Sequence, residues 1–303
     1  MVSERISQAE PRLTSTLKWV GGKRKLAQEI VSAFPAQFGT YFEPFLGGAS
    51  VFLESAPAKA KLSDLNASLI NYYLQLRDNF SELLDNCRDM ESTYNSLSDQ
   101  NARKDFFLDI RNSFNQDKLK LGVGNASQFL FLNKTGFNGM YRENSKGQFN
   151  IPFNNSVKLR LLEEDQFRLN SEALQNASLS VSDYREAVSA AEAGDLVYFD
   201  PPYVPISVTS AFVDYTKSSF GPSAQEELRD TAQELVGRGV TVILSNSKCR
   251  IVEELYQGFE LLPVEINRLI AADGKVRGKA LEYLVIGRPN DWKVNRRTVV
   301  SKG

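Results

Sequence analysis

Histidine is missing from all 303 residues of the chain. Every Ser-His or Cys-His nucleophilic mechanism is excluded with it, as is a histidine-ligated metal, so any catalysis falls to carboxylates, amides and backbone groups. Cysteine is nearly as scarce. Cys87 and Cys249 are too few for a disulfide framework or a dedicated zinc site, and they point to a reducing compartment. Neither sits in a Pro-Cys turn, which argues against a cysteine nucleophile. No apolar run approaches the ~20 residues of a membrane span, and the polar residues 1–12 lack the apolar core of a secretory signal. Charge of one sign is not in excess either, with a formal net charge of −1. What is present, 42% hydrophobic and 24% charged residues, can bury a sizeable core in one large or two modest domains.

The charges are segregated. Residues 16–28 contain Lys18, Lys23, Arg24 and Lys25 without an acid. Residues 118–160 carry Lys118, Lys120, Lys134, Arg142, Lys146, Lys158 and Arg160 against Glu143 alone, and the tail adds Arg288, Lys293, Arg296, Arg297 and Lys302 against Asp291. Acids gather in residues 78–91. Such segregation can give a neutral protein a basic face for nucleic-acid phosphates, although solvated loops explain the charges equally well.

Residue order dictates chemistry most clearly at Asp200-Pro201-Pro202-Tyr203. Leu196, Val197, Tyr198 and Phe199 before it form an apolar run that reads as a buried strand. Two prolines then stop the strand, remove two backbone donors and leave two carbonyls without partners in a rigid bend. A carboxylate, a carbonyl and an aromatic face suit a planar heterocycle bearing an amino group. A strand followed by an ordinary turn is the plainer alternative.

Earlier in the chain, Trp19-Val20-Gly21-Gly22-Lys23 places paired glycines after an aromatic, and residues 24–34 then have helical spacing with Leu26, Ile30 and Phe34 on one face. Residues 40–53, with Glu43, Phe45, Gly47 and Gly48, follow the strand, glycine turn, helix grammar of a nucleotide-type site. They lack the spacing of a dinucleotide fingerprint or a P-loop. The acid before the glycines favours a cationic ligand group such as an ammonium or a sulfonium. A second strand ends at Asp64, where ribose-binding acids stand in doubly wound folds.

Residues 67–132 read as helical and interrupt this alternation, ending in a segment, residues 132–153, of interleaved glycine, asparagine, aromatic and basic residues. That composition suits a loop or hairpin touching DNA more than a core, with an irregular surface hairpin as the plainer alternative. After Asn176 the alternation resumes: a strand ending at Asp183, a helix over 184–193, the Asp200 strand, a polar loop over 204–221, a helix over 223–238, and strands over 240–246 and 280–286. About six strand signals with intervening helices predict an α/β, doubly wound, Rossmann-like sheet split by one mainly helical insertion.

Taken in order, Lys18-Trp19 with Gly21-Gly22-Lys23, Glu43-Pro44-Phe45-Leu46-Gly47-Gly48, Leu62-Ser63-Asp64-Leu65-Asn66, the segment from Asn133 to Phe153 and Asp200-Pro201-Pro202-Tyr203 resemble the Dam-type DNA adenine-N6 methyltransferases. The resemblance runs from about Leu17 to Gly287. It implies transfer of a methyl group from S-adenosylmethionine to adenine N6 in duplex DNA, within GATC, by base flipping, with no metal. Trp19, Gly21, Gly22, Lys23, Glu43, Phe45, Gly47, Asp64, Asp183 and Asp200 would bind the cofactor. Asp200, Pro201, Pro202 and Tyr203 would form the catalytic bend. Phe137 would wedge into the base stack, Lys18, Asn138 and Arg142 would read bases, and Pro152 would add an apolar contact. The implied domains are a catalytic one, residues 1–68 and 171–303, and a target-recognition one, residues 69–170. The implied protein is a cytoplasmic monomer, orphan or paired with a separately acting restriction endonuclease. Two departures stand out: Ala49 follows Gly47-Gly48 where relatives often have Gly-x-Gly, and Phe137 replaces a Tyr. The competing functions are a cytosine-N4 methyltransferase, which usually has Ser in place of Asp200, an RNA or protein-glutamine methyltransferase, which typically has Asn there, and a catalytically silent DNA-binding regulator.

Overall fold

A computed structural model describes residues 13–117, 120–161, 163–205, 220–267 and 279–289. Lys118, residues 206–219 of the expected polar loop, the basic residues Lys293, Arg296, Arg297 and Lys302 of the tail, and residues 1–12 lie outside the described residues. The chain divides into two compact units, one of residues 1–24, 48–56 and 71–175, the other of residues 25–47, 57–70 and 176–303.

The second unit is built on a seven-stranded sheet of order β3-β2-β1-β4-β5-β7-β6. Strands β1 (Tyr41–Glu43), β2 (Ala60–Asp64), β3 (Ala177–Val181), β4 (Leu196–Phe199) and β5 (Thr241–Ser247) run parallel. All residues of β1 and β4 are buried, as strands of a parallel sheet covered on both faces are, the acid Glu43 included. Strand β7 (Lys279–Gly287) inserts antiparallel between β5 and β6 (Glu260–Asn267). The sequence did not announce β6. It alternates poorly and contains Pro263, a residue tolerated only at a sheet edge, and the edge is where β6 lies.

Helix Pro222–Gly237 opens with its proline in the first turn, where the missing N–H is harmless. It buries Leu228, Ala232, Leu235 and Val236 against Val197, Phe199, Val242 and Leu244 of the sheet core. The helix expected over 184–193 is the single turn Tyr184–Ala187, and the one expected over 24–34 is limited to Ala27–Ser32.

The stretch expected to be helical from 67 to 132 is four helices, Ala67–Asp78, Phe80–Ser96, Gln100–Gln116 and Val123–Thr135. The last three, with Glu164–Leu174, belong to the first unit. Asp99 starts the third helix by accepting from the amides of Asn101 and Ala102. Helix Val123–Thr135 is buried nearly all round, including Phe129, Leu130, Phe131 and Leu132, which makes it the axis of this unit. Its aromatic neighbours pack edge to face, Phe106 at 5.5 Å and Tyr94 at 5.9 Å from Phe131.

Candidate active site

In the sheet unit, the chain order reverses between β1 and β4. In open α/β sheets a ligand crevice forms outside the carboxyl ends of the strands at such a switch point. Tyr41 pairs with Leu196 and Phe42 with Val197 in parallel register, so Glu43 and Asp200 emerge at the same sheet end. Asp64 closes β2, the next strand. Three of the expected acids therefore stand at neighbouring strand ends.

The glycine turn is tied to that edge. Gly47, at φ 46°, donates its amide to Asp64 Oδ2 at 3.1 Å, and Asn66 donates to Oδ1 at 2.9 Å. Burial raises the Asp64 carboxyl above the usual range, and these amides oppose the rise. The carboxylate thus orders the turn. Ala49, the departure noted above, lies in the left-handed region at φ 54°. Its methyl is tolerated there at a cost of about 1 kcal/mol.

Beneath the edge lies a buried polar layer. Glu43 is buried and accepts from the Tyr41 hydroxyl at 2.8 Å, while the hydroxyls of Tyr198 and Ser245 lie 2.8 Å apart. Burial pushes both tyrosines well above their ordinary values, and the charges of Glu43 and Asp200 add to it, so they remain protonated. Phe45 packs among Tyr184, Phe220 and Phe199, at 5.5, 5.8 and 6.3 Å between ring centroids. Asp183 caps the short helix through the Arg185 amide and also pairs with the Arg185 guanidinium at 2.8 Å.

The double-proline bend follows. Pro201 is buried, Pro202 exposed and Tyr203 half-buried. One carbonyl expected to lack a partner has one: Pro202 O accepts from Gln225 Nε2 at 2.8 Å. The Tyr203 hydroxyl donates to Glu282 at 2.7 Å, and burial with the nearby Asp200 keeps that phenol protonated. Asn246 Oδ1 accepts from the Val204 and Ser247 amides at 3.1 and 2.8 Å, and its Nδ2 donates to Gln225 Oε1 at 3.2 Å. Sequence reasoning missed Gln225, Asn246 and Glu282. The first left one signal, a polar residue on the apolar stripe of Leu228, Ala232 and Leu235.

The remaining expected residues lie in the helical unit. Trp19 and Gly22 close a turn, with the Gly22 amide 3.0 Å from the Trp19 carbonyl and Gly21 at φ 76°. The Trp19 ring stacks on Tyr141 at 6.3 Å, and the buried Lys23 donates to the Gly21 carbonyl at 2.7 Å. Asn133 clasps Lys18 from both sides, accepting from its amide at 2.9 Å and donating to its carbonyl at 2.6 Å, and also reaches the Gly139 carbonyl at 3.3 Å. The expected hairpin is irregular: a 3-10 turn, Phe137–Gly139, then isolated bridges from Gly136 to Phe153 and Glu143 to Phe149. Phe137 is 48% exposed, and its amide donates to the carbonyl of exposed Pro152 at 2.9 Å. Asn138 is exposed at φ 54°. Arg142 is exposed and donates to Asn150 at 2.9 Å. Lys18, Phe137, Asn138, Arg142 and Pro152 are thus carried by one unit.

A family model described as D12 class N6 adenine-specific DNA methyltransferase matches residues 19–270. The chain belongs to that family. Among curated relatives, the methyltransferase is 38% identical over 277 residues to the Type II methyltransferase M1.LlaDCHI of Lactococcus lactis subsp. cremoris, covering 90% of this chain and 95% of that one. It is 34% identical to the DNA adenine methylase of Vibrio cholerae, over 90% of this chain and 96% of the relative. It is 32% identical to the DNA adenine methylase of Escherichia coli K12, over 90% and 95%. This adenine-specific methyltransferase places an acid, a proline bend and an aromatic ring at the switch point of its sheet.

Proposed function

We propose that this methyltransferase acts on adenine N6 in duplex DNA within GATC, taking the methyl group from S-adenosylmethionine after the base has left the helix. The observation that carries this reading is the Asp200 bend at the carboxyl end of β4, beside the Glu43 end of β1.

The residues at the sheet edge fit the cofactor. Glu43 and Asp64 offer carboxylates for an ammonium and for ribose hydroxyls, Gly47 brings bare backbone close, and Phe45 supplies an apolar wall, with Asp183 beside it. Trp19, Gly21, Gly22 and Lys23 complete the proposed set. When bound, S-adenosylmethionine supplies a methyl group already activated by its sulfonium, so no metal or covalent enzyme intermediate is required.

The protein's task is orientation. Adenine N6 is a weak nucleophile because its lone pair is delocalised into the ring. The Asp200 carboxylate and the Pro201 carbonyl accept its two N–H hydrogens, which favours tetrahedral nitrogen and stabilises the positive charge that develops there. Tyr203 stacks on the base, and Phe137 fills the space the base vacates, offsetting an extrusion cost of a few kcal/mol. Lys18, Asn138 and Arg142 read base edges, with Pro152 as an apolar contact; the choice of GATC rests on the resemblance of this segment to the Dam-type pattern.

The test is transfer of label from methyl-labelled S-adenosylmethionine to a GATC duplex and to duplexes differing from it at single base pairs. Label is expected in N6-methyladenine of the GATC duplex alone. Label in cytosine, or equal transfer to every duplex, would refute the assignment.

A further inference from the structure

The double-proline bend cannot hold itself. Pro201 and Pro202 have no N–H, so neither can donate to a neighbouring strand or close a turn. Yet the proposed chemistry requires the Pro201 carbonyl and the Tyr203 ring to keep a fixed aim. Two buried side-chain amides supply what the backbone lacks. Gln225 is 1% exposed and Asn246 fully buried.

Gln225 holds the Pro202 carbonyl, which belongs to the peptide before Tyr203, and Asn246 holds the Val204 amide, which belongs to the peptide after it. The two amides are bonded to each other. Both peptide planes that bracket Tyr203 are therefore fixed by one connected pair. Their orientation follows from the partners. A carbonyl only accepts, so Gln225 must present Nε2 to Pro202 and Oε1 to Asn246; backbone amides only donate, so Asn246 must present Oδ1 to Val204 and Ser247 and Nδ2 to Gln225. Every bond in the chain depends on the same choice. Resting on the proposed function, we infer that Gln225 is a positioning residue: through Pro202 it sets the aim of the Pro201 carbonyl and the Tyr203 ring at the target amino group.

A merely structural role would lower stability and weaken all binding together, whereas a positioning role lowers the chemical step. Gln225→Met keeps the length and removes both polar atoms. Asn246→Asp keeps the acceptor for Val204 and Ser247 but presents oxygen to Gln225, so the Gln225 amide turns and faces Pro202 oxygen to oxygen. On whichever duplex the wild type methylates, single-turnover transfer, duplex and cofactor affinities, thermal midpoint, and fluorescence of 2-aminopurine at the target position are measured. Gln225→Met is expected to slow single-turnover transfer by about 10- to 100-fold while duplex and cofactor affinities stay within about threefold, because small misplacements cost rate more than binding. The 2-aminopurine signal is expected to rise further than in the wild type, since the extruded base stacks less firmly on Tyr203. Asn246→Asp is expected to lose rate in the same sense, and it decides the matter if Gln225→Met does not fold. Wild-type rates in a folded variant, or affinity losses equal to the rate losses, would overturn the inference. A wild type that methylates no duplex would instead refute the proposed function, and the inference with it.

Discussion

Asp200 is the residue whose removal should separate chemistry from binding. Its carboxylate is proposed to orient and polarise the target amine, whereas DNA contacts are proposed to lie on Lys18, Phe137, Asn138 and Arg142. Asp200→Ala is expected to lower methyl transfer by at least about 10²- to 10³-fold, the scale of losing one preorganised charge-stabilising group. Duplex affinity by fluorescence anisotropy should change little; near-normal turnover would remove Asp200 from the mechanism. A second single-residue effect concerns pH. Burial, with the neighbouring charges of Lys18 and Arg24 against the opposing Glu163, lowers Lys134 to about 8. Above that value the folded protein loses a proton that the unfolded chain keeps until its ordinary lysine range. This residue's contribution to stability therefore rises with pH from about 8 toward the unfolded value, because the unfolded state binds more protons there. Duplex affinity is expected to move the other way, since a positive charge at the base of the proposed recognition turn is lost. Between pH 7 and 9, binding should weaken and its salt dependence should shrink by about one charge. Lys134→Arg, which stays protonated, should flatten both trends in anisotropy titrations.

At the scale of elements, the proposed recognition segment is tied to Lys18 by one side chain. Asn133 joins the Lys18 backbone to the turn at Gly139, and Gly139 itself, at φ 63°, has no room for a Cβ, which would come 2.3 Å from Lys18 Cβ. Lys18 and the 3-10 turn are thereby joined although 115 positions separate Lys18 from Asn133. Asn133→Ala should cost about 1–3 kcal/mol by leaving buried backbone groups unpaired. It should also flatten discrimination among single-base-pair variants of the site. A variant that melts earlier yet discriminates as before would show the clasp to be structural alone. The composition of this segment, glycine and asparagine among aromatics and bases, was legible in the sequence. Its irregular bridging and the Asn133 clasp were not, because a side chain that substitutes for a strand partner leaves no periodicity.

For the whole molecule, the sheet was readable where strands are buried on both faces, since Leu196–Phe199 appears as an unbroken apolar run and Tyr41 and Phe42 as a shorter one. Readability failed at β6, a half-exposed edge strand whose pattern its proline interrupts. In the candidate site, the acids at the ends of β1, β2 and β4 announced themselves because strand-end carboxylates stand out against apolar runs. Gln225, Asn246 and Glu282 did not, since each acquires meaning only from what it touches. Pro263 carries a further consequence. A chain that is to work at high local concentration along a polymer must not recruit its own copies, and the outermost strand of an open sheet invites this by offering a row of unused backbone donors. A proline there has no N–H to offer a neighbour, so that rim is a poorer template for a passing strand, which discourages fibrous self-association from that side.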